Sequence, residues 1–91
     1  MTEIFSKIVS CGSYLPKKIV TNADLAKTID TSDEWIFTRS GISQRHIAAE
    51  GEYTSDLGYH AAVNALENCD IDKEDIDVVI VATSTPDNIF P

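Results

Sequence analysis

The chain has 91 residues, of which 43% are apolar, a composition typical of one small globular domain rather than of a disordered segment. Its net charge of −8, from seven basic and fifteen acidic residues, argues against a nucleic-acid backbone as the partner. No apolar run is long enough to span a membrane. With only two cysteines and no basic-then-apolar leader, the sequence predicts a reduced, cytoplasmic protein.

The first elements predicted in chain order are a strand, a turn and a short helix. Apolar residues alternate from Ile4 to Cys11, which favours a strand, and residues 12–16 contain the Gly and Pro of a turn. Thr21 with Asp24 has the spacing of a capping box, so a helix is predicted from about residue 22 to residue 29.

The segment from Asp30 to His46 carries the strongest functional pattern. Thr31 with Glu34 forms a second predicted capping box, and Gly41 supplies the stop. Between them Trp35 and Arg39 stand four residues apart, on the same face of the predicted helix. A flat aromatic ring beside a guanidinium suits the base and phosphates of a nucleotide. The alternative is that the indole ring simply packs and the arginine stem covers it.

The second half of the chain predicts one long helix and one apolar strand. An extended segment is expected between residues 42 and 49, and Thr54 is predicted to cap a helix with an apolar stripe of Leu57, Ala61, Ala65 and Leu66. Residues 70–77 are an acidic turn with one helical turn, and their spacing does not fit a calcium loop, so no metal site is predicted.

Residues 78–83 are almost continuously β-branched, which is typical of a parallel strand buried on both faces in an α/β protein. The other predicted elements are too few to cover both faces. We therefore expect the N-terminal piece of a larger α/β protein that is aggregation-prone or only partly folded when isolated. Cys11 and Cys69 are predicted to be buried structural thiols, His46 a hydrogen-bonded structural residue, and His60 a surface or half-buried one.

Several linked motifs resemble the opening third of the β-ketoacyl-acyl-carrier-protein synthase III family, the initiating condensing enzymes of bacterial fatty-acid synthesis. The resemblance implies an α/β fold, the N-terminal part of a thiolase-like α-β-α-β-α arrangement, with residues 1–91 forming a portion of its first half. The motifs cover residues 12–16 (GSYLP), 21–25 (TNADL), 31–36 (TSDEWI), 38–42 (TRSGI), 45–48 (RHIA) and 81–84 (VATS).

The resemblance also implies a reaction, a decarboxylative Claisen condensation that joins an acyl-CoA primer to malonyl-acyl-carrier protein. Acyl-CoA is then a substrate, no cofactor is implied, and the complete protein is expected to be a homodimer. In the family a Cys, a His and an Asn carry the chemistry. All three would lie beyond Pro91, so no catalytic residue is assigned in this chain.

The resemblance assigns four residues to coenzyme A recognition. Trp35 matches the residue that stacks on the adenine, Arg39 one that meets the nucleotide end, Thr31 a polar contact near the base, and Ser40 stands where some relatives have Thr. Phe90 matches a residue that reaches across the dimer interface to limit the partner's primer pocket, although plain interface packing is an equal interpretation.

Two other functions remain open at this point. One is a stand-alone nucleotide- or CoA-binding module without catalysis. The other is a different thiolase-fold condensing enzyme, which the first third of such a fold does not separate from the leading interpretation.

Overall fold

A computed structural model describes residues 3–90 of the chain. Met1, Thr2 and Pro91 lie outside the described residues, and with them the two ends of the predicted 1–91 portion. The described residues divide into two compact units. One is the continuous stretch Leu15–Glu52, and the other combines the residues up to Tyr14 with those from Tyr53 onward.

The continuous unit is built on a two-stranded antiparallel sheet. Strands β1 (Lys18–Thr21) and β2 (Gln44–Ile47) pair in the register that sets Lys18 opposite Ile47 and Thr21 opposite Gln44. The extended segment predicted between residues 42 and 49 is therefore confirmed as β2. Strand β1 was not predicted, because a four-residue stretch with two apolar residues carries no clear alternation.

Helix α1 (Asn22–Ala26) begins at the predicted capping box. The Asp24 N–H donates to the Thr21 hydroxyl at 3.1 Å, and the Thr21 N–H donates to the Asp24 carboxylate at 2.9 Å. These bonds to Thr21 hold the pKa of Asp24 below its ordinary value. The helix ends three residues before the predicted limit at Ile29, whose N–H still donates to the Leu25 carbonyl in a final turn.

Helix α2 (Asp33–Ser40) follows, and its predicted N-cap was wrong by one residue. Ser32 is the cap, since its hydroxyl accepts from the Trp35 N–H at 3.1 Å. The Thr31 N–H instead donates to the Ile29 carbonyl, so Thr31 precedes the helix. The predicted stop is confirmed: Gly41 adopts φ of 70°, a left-handed conformation that a residue without Cβ takes at low cost.

The second unit is centred on helix α3 (Thr54–Glu67). Thr54 was predicted as the cap but is the first helical residue, and Tyr53 is the cap, with its N–H donating to the Asp56 carboxylate at 2.9 Å. Gly12 lies against the α3 backbone so closely that a Cβ there would come within 2.3 Å of the Ala65 nitrogen. The small residues Ala61 and Ala65 of α3 allow this close approach.

The segment after residue 83 is tied to the N-terminal end of α3. The Ser55 N–H and hydroxyl donate to the two Asp87 carboxylate oxygens, at 3.1 and 2.5 Å, and the Thr54 hydroxyl donates to the Thr85 carbonyl. Hydrogen bonds from Ser55 hold the pKa of Asp87 below its ordinary value. A short 3-10 helix, Lys73–Asp75, matches the helical turn predicted within residues 70–77.

The two predicted strands at residues 4–11 and 78–83 are not formed in the described part of the chain. A strand requires a hydrogen-bonded neighbour, and the apolar pattern of a segment does not supply one. The run that was predicted to be buried on both faces is instead open to solvent, with Val78 to Val81 between 67% and 88% exposed. The expectation that the available elements could not cover this run is confirmed.

The predictions for cysteine and histidine had mixed outcomes. Cys11 is exposed and Cys69 half-buried, so burial of both thiols was wrong. His46 is half-buried, with Nδ1 2.5 Å from the Pro16 carbonyl oxygen, and His60 is exposed, as predicted. Among residues 3–90, no helix combines the length and apolarity that crossing a membrane requires.

Candidate functional site

Trp35 and Arg39 form a stacked pair on the surface of α2. The guanidinium carbon of Arg39 lies 4.6 Å from the centroid of the Trp35 ring, within the range of a cation–π interaction. Trp35 remains 57% exposed and is therefore not a core residue, while Arg39 covers its ring, which agrees with that part of the alternative interpretation. The helix thus presents a flat aromatic surface with a fixed positive charge beside it.

Two open hollows share Trp35 as a wall. One is lined by Asp30, Thr31, Ser32 and Trp35. The other is lined by Ser32, Glu34, Trp35, Thr38 and Arg39. The structure therefore brings Thr31, Trp35 and Arg39 together as predicted. It adds Thr38, which could have been found from its position three residues after Trp35 on the same helical face.

The charge around the pair is uneven. Arg39 is the one cation among the described residues that line the two hollows, whereas Asp30 and Glu34 contribute carboxylates. Glu34 lines the same hollow as Arg39 and Asp30 lines the other, so a phosphate group is attracted by Arg39 and repelled by one carboxylate in each hollow. Among residues 3–90, His, Cys, Asp and Glu side chains nowhere gather in a set of three that could hold a metal ion.

Ser40 is placed differently from the other three predicted residues. Its hydroxyl donates to the Ile36 carbonyl at 2.7 Å and accepts from the Ile42 N–H at 3.1 Å. Both bonds help to close the C-terminal end of α2, next to Gly41. Ser40 lines neither hollow in the described structure, so its visible role is to finish the helix rather than to face a ligand.

A part-buried hydrogen-bond network around Asn22 joins the two ends of α2 to the sheet. The Asn22 amide nitrogen donates to the Asp33 carboxylate at 2.8 Å and to the Ile42 carbonyl at 2.7 Å. The Arg45 guanidinium donates to the Asn22 amide oxygen at 2.8 Å and to the Val20 carbonyl at 3.2 Å. Sequence reasoning missed this network, because its members are far apart along the chain.

Phe90 belongs to the other compact unit. It is 81% exposed, and the neighbouring Ile89 is 86% exposed. The Asp87 contacts with Ser55 fix the chain three residues earlier. An apolar ring so exposed is available for contact with another surface.

Comparison with known proteins finds synthase III relatives of this chain. No family model matches it. The β-ketoacyl-acyl-carrier-protein synthase III of Paramagnetospirillum magneticum is 65% identical over 94% of the chain, and that of Bradyrhizobium diazoefficiens is 59% identical over all of it. The chain matches one section of the β-ketoacyl-acyl-carrier-protein synthase III family. It spans about a quarter of these relatives' length, 26% and 28% respectively.

Solved structures of synthase III have the same fold over this section. The crystal structure of the Thermus thermophilus protein matches with a TM-score of 0.85 and 51% identity, over 94% of this chain and 27% of that one. The Aquifex aeolicus protein, described as 3-oxoacyl-acyl-carrier-protein synthase III, matches with a TM-score of 0.84 and 48% identity, over 93% of this chain and 27% of that one. The predicted resemblance and the predicted α/β, thiolase-like fold class are thereby confirmed.

Proposed function

We propose that this chain is the coenzyme A-recognising section of an initiating condensing enzyme of bacterial fatty-acid synthesis. The complete protein would be an acyltransferase that joins an acyl-CoA primer to malonyl-acyl-carrier protein by decarboxylative Claisen condensation. It would act as a cytoplasmic homodimer, and its catalytic Cys, His and Asn would lie outside these 91 residues. The sequence identity to synthase III relatives supports the reaction class.

The stacked Trp35–Arg39 pair is the observation that carries the ligand assignment. Coenzyme A ends in an adenine and carries phosphate groups close to it, so it offers both a flat ring and negative charge. Trp35 presents a ring that is more than half exposed, and Arg39 holds a cation 4.6 Å from its centre. Stacking on an exposed indole contributes about 1–3 kcal/mol per base in nucleic-acid complexes, and the same contact is available to adenine here.

Thr31 supports this assignment and Ser40 supports it less. Thr31 lines a hollow with Trp35, where its hydroxyl can meet the edge of a base. The Ser40 hydroxyl is hydrogen-bonded to the Ile36 carbonyl and the Ile42 N–H. Its contribution to affinity would therefore be indirect, through the C-terminal end of α2. In the proposed dimer, Phe90 would occupy space in the partner's primer pocket and favour short acyl chains.

Calorimetric titration of a chimera, in which these 91 residues replace the matching section of a complete synthase III, tests the ligand assignment. Coenzyme A should bind. Pantetheine, which lacks the nucleotide, should bind at least tenfold more weakly, because the stacking energy of one base is lost. Trp35→Ala should reduce that difference to the part that the Arg39 contact with phosphate supplies. Tyr59→Ala removes a ring of comparable exposure, 64%, from the other unit and should leave the affinity difference between coenzyme A and pantetheine unchanged. Equal binding of coenzyme A and pantetheine would remove the assignment.

The stand-alone binding module is separated from the enzyme section by a chimera. These 91 residues replace the matching section of a complete synthase III, such as the Paramagnetospirillum magneticum protein. If the chimera still condenses acyl-CoA with malonyl-acyl-carrier protein, the result supports the proposal that these residues are a section of the enzyme. A chimera that folds and binds coenzyme A without condensing favours the module.

A further inference from the structure

Asn22 is buried, with 1% of its surface exposed, and Pro16 is the other buried residue among residues 3–90. Asn22 follows β1 directly and is the first residue of α1. Every hydrogen-bonding atom of its amide is aimed at another element of the continuous unit. A buried polar group of this kind is stabilising only if it is fully paired, and this one is.

One nitrogen of Asn22 holds both ends of the helix that carries the stacked pair. Its two hydrogens are donated to Asp33, the first residue of α2, and to the Ile42 carbonyl, directly after the Gly41 stop. The two acceptors are nine residues apart in sequence and bracket α2 completely. One amide group thus connects the two ends of α2.

The sheet holds Asn22 from the opposite side. The Asn22 N–H donates to the Ser43 carbonyl at 3.0 Å, and the Asn22 amide oxygen accepts from Arg45, which also donates to Val20 of β1. Arg45 itself lies in β2 and is half-buried. The amide is therefore fixed at a known place on the sheet, and α2 is fixed to the amide.

We propose that Asn22 is the positioning residue of the coenzyme A site, holding α2 in the one orientation in which Trp35 and Arg39 present a stacked pair to the ligand. This inference rests on the proposed function for its ligand and on the Asn22 contacts for its mechanism. The position requires two N–H donors and one acceptor on a short side chain, and only asparagine supplies them without an extra methylene.

The substitution Asn22→Asp separates this role from simple packing. Aspartate has the same size and keeps an acceptor for Arg45, but it has no N–H for Asp33 or Ile42, and it places a second carboxylate against Asp33. Asn64→Asp is the matched control, because Asn64 donates to the Ser13 carbonyl at 2.7 Å in the other unit. Asp33→Asn keeps an oxygen that Asn22 can donate to, whereas Asp33→Ala removes it.

Two measurements on the synthase III chimera that carries these 91 residues read the outcome. Trp35 is the one tryptophan that these 91 residues contribute, so the near-ultraviolet circular dichroism difference between a variant that keeps Trp35 and the same variant with Trp35→Phe, called the indole signal below, reports the order of the indole. The dissociation constant for coenzyme A, measured by calorimetry, reports the site. We expect Asn22→Asp to collapse the indole signal and to raise the dissociation constant about tenfold or more, the loss expected for unpaired buried polar groups. In Asn64→Asp and Asp33→Asn, the indole signal and the dissociation constant for coenzyme A should both stay within twofold of the unsubstituted values.

Each result of these measurements supports or overturns the positioning role of Asn22. An indole signal and a coenzyme A affinity in Asn22→Asp that equal those of Asn64→Asp overturn the proposal, as does an unsubstituted chimera without an ordered indole signal. If Asn22→Asp fails to fold, the two Asp33 variants decide the question. Loss of the indole signal in Asp33→Ala but not in Asp33→Asn supports the positioning role of Asn22, and equal indole signals in the two variants overturn it. If the unsubstituted chimera binds no coenzyme A, the proposed function fails, while the indole signal still decides the positioning role.

Discussion

The guanidinium of Arg39 lies over the indole of Trp35, with 4.6 Å between the guanidinium carbon and the ring centroid. The two residues are four apart in α2, so the helix itself sets their spacing. Because Arg39 already covers one face of the ring, both side chains are ordered before a ligand arrives. Less conformational entropy is then lost on binding.

Arg39→Ala should weaken coenzyme A binding about fivefold to tenfold, because it removes a charge-assisted contact to phosphate and the cation beside the ring. Arg39→Lys keeps the charge without the planar group, so its affinity for coenzyme A should lie between those of the unsubstituted protein and Arg39→Ala. Adenosine, which has no phosphate, should lose much less affinity than coenzyme A in Arg39→Ala. The measurement is calorimetry with both ligands, and equal losses would show that Arg39 acts only by ordering Trp35.

In the chimeric synthase III, Trp35→Ala and Arg39→Ala should each lower kcat/KM for acyl-CoA by about tenfold or more, since one nucleotide contact is lost. The KM for malonyl-acyl-carrier protein should change by less than twofold. Lys27→Ala, which removes an exposed cation just after α1, serves as the charge control. Comparable losses with both substrates would argue against an acyl-CoA site on α2.

Phe90→Ala in the same chimera should shift primer preference toward longer acyl chains, because a smaller side chain leaves space that extra methylenes can fill. Each buried methylene contributes about 0.8 kcal/mol, so the ratio of kcat/KM for a chain two carbons longer should rise by about tenfold. Competition between primers of different length measures this ratio. An unchanged ratio would leave Phe90 as a packing residue.

Local chemistry explains which features the sequence could predict. The Thr21–Asp24 box and the Gly41 stop depend on residues within one turn of each other, and both were correct. The choice of Ser32 over Thr31 as cap was missed because two adjacent hydroxyls offer the same short-range signal, and contacts outside the helix decide between them.

Features that depend on distant residues were not predictable in the same way. Strand β1 exists because β2 pairs with it, and the role of Asn22 exists because Asp33, Ile42 and Arg45 converge on it. The stacked pair was predictable in advance, since α2 alone sets its spacing. The strands predicted from residues 4–11 and 78–83 failed for the opposite reason: their pattern is correct for a strand, and no neighbour pairs with it among residues 3–90.

Gly12→Ala should destabilise the unit around α3 by about 1–3 kcal/mol, the usual cost of forcing extra volume into a tight contact. Its Cβ would lie 2.3 Å from the Ala65 nitrogen and 2.5 Å from the Ala61 carbonyl oxygen, both backbone atoms that cannot rotate away. Gly58→Ala is the matched control, because nothing lies within 4 Å of its Cβ and it stands inside α3.

The control variant should be more stable than the unsubstituted chain by about 0.5–1 kcal/mol, the gain expected for alanine over glycine in a helix. Urea unfolding followed by far-ultraviolet circular dichroism compares the two substitutions. Gly12→Ala with unchanged stability would mean that the segment moves away from α3 at no cost.

Attachment of the segment around Asp87 to α3 should weaken in acid. The folded-state pKa of Asp87 lies below its ordinary value of 3.8, so the stabilisation is complete above that pH and is lost as the pH falls through the lower folded value. Carbon-detected NMR titration of the carboxyl group measures the shift directly. Ser55→Ala removes the hydroxyl donor and should move the pKa back toward 3.8, and an unmoved titration would contradict the contact.

The arrangement of the units has a practical consequence for chemistry at this site. Every member of the candidate coenzyme A site, together with Asn22, lies in the uninterrupted stretch Leu15–Glu52. A stretch of that length is within reach of solid-phase peptide synthesis and native ligation. Isotope labels, fluorinated indoles or an arginine isostere with altered basicity can therefore be introduced at single atoms of the stacked pair, beyond what the genetic code allows.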